Sequence, residues 1–70
     1  MKNKLERIFI STLHSESIIY KAIKDYENIC QIRVEKCNVG WKCIFFNGIT
    51  DLEKIVDEFS NYLIELENNL

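Results

Sequence analysis

Over the stretch from Ile29 to Gly48 the pattern of apolar side chains changes period from 3.6 to two. This change of period restricts the chain to folds that combine a hairpin with flanking amphipathic helices. Within the central stretch Cys30, Ile32 and Val34 alternate with Gln31, Arg33 and Glu35, and Trp41 to Phe46 follow after Asn38-Val39-Gly40, a turn-forming run. Pairing Lys36 with Trp41 places Val34 beside Cys43 and Ile32 beside Phe45 on one face. Glu35 then lies opposite Lys42 on the other face, a favourable cross-strand ion pair. A slip of one residue would mix the two faces, so the pattern itself selects this register.

Upstream, Leu5 to Ser11 is short, β-rich and centred on Ile8, Phe9 and Ile10, which predicts a first strand. Ser15 has the character of an N-cap with Glu16 in the first turn, and Ile18, Ile19, Ala22, Ile23 and Tyr26 form a helical stripe over about 16–28. Downstream, Asn47-Gly48 ends the hairpin. Thr50-Asp51-Leu52-Glu53 has the form of a capping box with Thr50 as N-cap. Leu52, Ile55, Val56, Phe59, Leu63 and Leu66 then predict a second helix over about 51–67.

The order β-α-β-β-α implies an α+β, two-layer sandwich: a three-stranded sheet with two helices on one face, forming a single domain over 1–70 with its core in about 5–67. Phe59, mid-stripe, is expected to face Ile32, Val34 and Phe45. The other sheet face has no element left to cover it. The alternation is expected to display Phe9, Ile44 and Phe46 there among Arg7, Gln31, Arg33, Glu35 and Lys42, and a contiguous apolar patch of this kind marks a contact surface. Phe9, Arg33, Ile44 and Phe46 are therefore the expected partner-binding residues.

Seventy residues sit near the lower edge of what one core can stabilise alone, which itself favours a partner. A formal charge of -2, with nine basic residues scattered along the chain, disfavours nucleic acid, because phosphate binding requires clustered Lys and Arg. No segment approaches the length of a membrane span, and the apolar run in MKNKLERIFIST is too short for a signal peptide, so a cytoplasmic protein is expected. Cys30, Cys37 and Cys43 should then remain thiols.

Catalytic patterns are missing from the sequence. His14 is the only histidine, which rules out a site with several His ligands and makes a hydrolytic triad hard to assemble; a surface-loop position is expected for it. The cysteines are spaced C-x6-C-x5-C, unlike zinc or iron–sulfur sites, with Cys30 and Cys43 expected in the core and Cys37 in the turn. With only Gly40 and Gly48 there is no glycine-rich phosphate loop, and Asp57, Glu58 and Glu65 fit a solvated helix face. These features predict a non-catalytic protein without metal or cofactor.

The segment Asp57-Glu58-Phe59-Ser60-Asn61-Tyr62-Leu63-Ile64-Glu65 resembles the C-terminal signature of the HxsD-like proteins, in which an acid-Phe-x-Asn-x-Leu run closes the domain. Ser15 to Ile23 is similar to that family's Ser/Pro-x-x-x-Ile-x-x-Ala helix, and the likeness extends over about 10–66. Phe59, Asn61 and Leu63 carry the signature. Glu65-Leu66-Glu67 stands where the family usually has a basic residue. The resemblance implies a setting beside radical S-adenosylmethionine enzymes that modify ribosomally made peptides. This chain lacks their C-x3-C-x2-C motif, so it implies an accessory that binds the maturase or its precursor peptide. Two alternatives come from other classes: a homodimer stacked through the open sheet face, and a thiol-based metal or redox carrier using Cys37.

Overall fold

The computed structural model describes residues 4–69. The elements are β1 (Lys4–Ile10), α1 (Glu16–Asp25), β2 (Gln31–Cys37), β3 (Gly40–Phe46) and α2 (Leu52–Asn68). They form an α+β sandwich with a three-stranded antiparallel sheet in the order β1-β3-β2. The hairpin has the register its alternation dictates: Lys36 pairs with Trp41, Glu35 with Lys42, Val34 with Cys43 and Ile32 with Phe45. The Lys42 Nζ to Glu35 Oε1 distance is 3.6 Å. Among the described residues no helix is long and apolar enough to cross a membrane.

β3 is central because Cys43 to Phe46 give it apolar side chains on both faces, and Trp41, Cys43, Ile44 and Phe45 are all buried. Its helix-facing residues meet α2 through Phe59, whose ring lies 5.2 Å from that of Phe45 and 5.2 Å from that of Tyr26, both edge-on. Ile18, Ile19 and Ala22 of α1 and Ile55, Val56 and Leu63 of α2 complete one continuous core. Phe59 is fully buried at its centre, against Phe45 as expected, while Ile32 and Val34 pack at its margin.

Of the two expected helix caps one differs and one agrees. α2 is capped by Asp51, whose carboxylate accepts from the Glu53 amide at 3.4 Å, so Thr50 lies one residue outside the helix. Ser15 is the N-cap of α1 but makes no side-chain cap bond. Its own amide donates to Glu67 Oε2 of α2 at 3.0 Å, which ties the start of one helix to the end of the other.

The larger correction concerns the phase of β1. Phe9 pairs with Trp41, Arg7 with Cys43 and Leu5 with Phe45, so these three share the helix-facing side of the sheet. Phe9 is 5% exposed, its ring 5.7 Å from that of Phe59, and it belongs to the core rather than to the open face. Arg7 points the same way and reaches Asp57 of α2 at 3.9 Å. The run Ile8-Phe9-Ile10 has no period of its own, and the phase is settled by the space beside Phe59, which takes the aromatic ring.

Candidate partner-binding surfaces

Antiparallel pairs alternate between hydrogen-bonded and non-bonded positions, and one bond fixes the phase of the whole sheet. The Ser11 amide donates to the Val39 carbonyl at 2.8 Å. Leu5, Arg7 and Phe9 therefore turn their backbone groups inward to β3, and Lys4, Glu6 and Ile8 turn theirs outward. The Ile10 carbonyl also points outward and accepts from the Leu13 and His14 amides at 3.0 and 3.1 Å. On β3 the residues that serve β1 are Trp41, Cys43 and Phe45, leaving Gly40, Lys42, Ile44 and Phe46 to serve β2. By the same alternation β2 bonds inward through Gln31, Arg33, Glu35 and Cys37 and presents the backbone of Ile32, Val34 and Lys36 at its outer edge. Among the described residues both outer strands thus turn donors and acceptors outward without a strand partner, a ready template for another strand.

The side chains differ between the two edges. At the end of β1 four large apolar residues are exposed: Ile8 at 49%, Ile10 at 44%, Leu13 at 67% and Val39 at 53%. The Ser11–Val39 and Leu13–Ile10 bonds hold the turn and the loop beside the strand end, so these residues are neighbours. Ile8 and Ile10 lie on the open face, where the sequence expectation had put Phe9. On β2 the helix-side residues Ile32 and Val34 are only half-buried, although Cys43 and Phe45 beside them on the same face are fully covered. α1 therefore leaves this strand partly uncovered, although Glu16 at its start reaches Lys36 at 3.9 Å. A groove of about 560 Å³ lies between the second half of α1 and the start of β2, lined by Tyr20, Lys24, Glu27, Cys30, Ile32 and, from the open face, Phe46 among others.

The remaining expected contact residues divide. Ile44 is on the open face, yet it is 9% exposed, since it lies between Glu6 and Arg33 on the flanking strands and their long side chains shield it. Phe46 is half-buried and Arg33 exposed. The open face is therefore apolar mainly along β1, and Phe9, Ile44 and Phe46 do not form one exposed patch. Of the signature residues, Phe59 and Leu63 are buried in the core and Asn61 is exposed on α2.

No family model, curated protein or solved structure matches this chain. What the surfaces can do follows from their own chemistry. Cys30 and Cys43 are buried and Cys37 is exposed, and burial pushes the Cys43 thiol up to about 12 and raises that of Cys30. Neither buried thiol is a nucleophile at neutral pH. Among the described residues no cluster of three or more His, Cys, Asp or Glu side chains is arranged to hold a metal. His14 is half-buried, its ring edge-on to Phe9 at 5.7 Å, rather than lying free on a surface loop. Its Nδ1 and Trp41 Nε1 are buried without a hydrogen-bond partner among the described residues. Among the described residues the perturbed carboxylate is Asp25, lowered by the Tyr62 hydroxyl that donates to it and by Lys21 at 3.2 Å; this cluster pins the end of α1 to α2.

Proposed function

We propose that this chain is a non-catalytic binding module that takes up an extended peptide as an added strand along β1. The supporting observation is the coincidence, at one place, of outward-facing backbone groups at Lys4, Glu6 and Ile8 with the exposed side chains of Ile8, Ile10, Leu13 and Val39. Main-chain pairing supplies affinity that is indifferent to sequence, and the apolar side chains select every second residue of the guest. An amphipathic, extended peptide with apolar residues at alternate positions suits this edge. The resemblance of Asp57 to Glu65 to the HxsD-like signature narrows the guest to a precursor peptide of a radical S-adenosylmethionine maturase, with this chain as the accessory that presents it.

The test is to pan a random peptide library against the chain and to repeat each binding measurement on Ile8→Pro. Proline removes an amide that points to solvent, a change an edge strand tolerates, so the circular dichroism spectrum should be retained. Selected peptides should show period-two apolar residues and should bind the variant about tenfold more weakly, equivalent to ~1.4 kcal/mol. Peptides that bind both proteins alike would place the guest elsewhere and sink the reading. The narrower role is checked by adding the chain to a maturase and its precursor peptide, where modification should speed up with wild type and not with Ile8→Pro.

A further inference from the structure

We infer that the opposite edge, β2, is a self-recognition surface, on which two copies of the chain pair antiparallel about a two-fold axis at Val34 and merge their sheets. This goes beyond the peptide-binding reading and leaves β1 free in each copy.

The edge has one register that suits a second copy of itself. Residues 32, 34 and 36 present their backbone groups outward, so a two-fold axis at Val34 sets Val34 against Val34 and Ile32 against Lys36 of the second copy. Arg33 then lies opposite Glu35 of the second copy, twice by symmetry. The nearest registers that keep both pairs of helices on one side of the sheet are centred on Arg33 or on Glu35, and each sets a like charge against itself. Arg33 makes no ion pair within 4.0 Å among the described residues, and Glu35 reaches only Lys42, at 3.6 Å. The order Arg-Val-Glu is thus complementary to its own reverse, a requirement of an isologous contact. A generic edge has no reason to meet it.

α1 repeats the pattern. It runs antiparallel to β2, with Glu16 at its start reaching Lys36 at 3.9 Å and Lys24 and Glu27 at its end beside Gln31 in the groove. Tyr20, 48% exposed, lies midway between Glu16 and Lys24, four residues from each. Two copies of α1 related by the same axis would meet at Tyr20 with Glu16 of each facing Lys24 of the other. Helices pack about 8–10 Å apart, roughly twice the ~4.8 Å spacing of strands, so the pairing needs an edge that α1 does not fully cover, as the half-burial of Ile32 and Val34 shows. Pairing would also cover Ile32 and Val34, the two helix-side apolar residues of this strand, both half-buried.

Light scattering on wild type, Arg33→Glu, Glu35→Arg and an equimolar mixture of the two variants decides the matter. Wild type should show twice the 8.3 kDa of one chain at concentrations where each single variant, facing like charges across the axis, shows 8.3 kDa. The mixture should return to the doubled mass, since the two acids on the edge of the Arg33→Glu copy then face the two arginines on the edge of the Glu35→Arg copy. Recovery in the mixture also proves that both variants are folded. A wild type that stays at 8.3 kDa up to its solubility limit overturns the inference. So does a dimer unaffected by either single change, or a mixture of monomeric variants that does not associate.

Discussion

At the scale of single residues, Gly40 does more than turn the hairpin. A Cβ built there would collide with the Phe9 carbonyl oxygen and stand 2.8 Å from the Ser11 amide nitrogen, and its φ is +157°. The absence of a side chain lets β1 close on β3 beside the turn. Gly40→Ala should cost at least ~1–3 kcal/mol, read as a lower midpoint in urea. The sequence marks Gly40 as part of a turn and nothing more, because the strand that approaches it lies far back in the chain. Cys43 carries a different prediction. Its folded-state thiol is raised to about 12 by burial, so its contribution to stability is complete below the ordinary value of 9.0 and is lost as pH rises from there toward 12. Cys30 and Tyr26, also raised by burial, act in the same direction. Unfolding midpoints should fall across that alkaline window, and less steeply in Cys43→Ala. At neutral pH only Cys37 should react promptly with iodoacetamide.

At the scale of elements, α2 was the most legible part of the chain and the first strand the least. The stripe from Leu52 to Leu66 matches a helix whose buried residues are Ile55, Val56, Phe59 and Leu63. Its centre meets Phe9, Tyr26 and Phe45 by ring contact at 5.2–5.7 Å, so Phe59→Ala should remove about 3–5 kcal/mol. Loss of the cooperative thermal transition would be the sign of it; a stable, folded monomer would contradict this packing. The hairpin register was legible because a slip exchanges its faces. β1 was not, because Leu5, Ile8, Phe9 and Ile10 give an apolar residue to both phases and only the cavity beside Phe59 discriminates between them. That single ambiguity moved Phe9 from the expected binding surface into the core and brought Ile8 and Ile10 out.

At the scale of the whole molecule, the α+β class and the coverage of one sheet face follow from the number and period of the elements. The strand order β1-β3-β2 does not, since local patterns say which strands exist but only burial says which one lies between the others. β3, apolar on both faces, takes that place. Its position bears on how the molecule comes into being as it leaves the ribosome. β1 and β2 are not paired with each other, and among the described residues each has its sheet partner in β3. β3 must therefore be synthesised before any of these strands can pair, and α2, which closes the core, follows it. A nascent chain that ends at Cys37 holds two unmatched strands and a helix with nothing to cover. The sheet forms when Gly40 to Phe46 emerge between them, so assembly is a single late event rather than a stepwise accretion from the amino terminus.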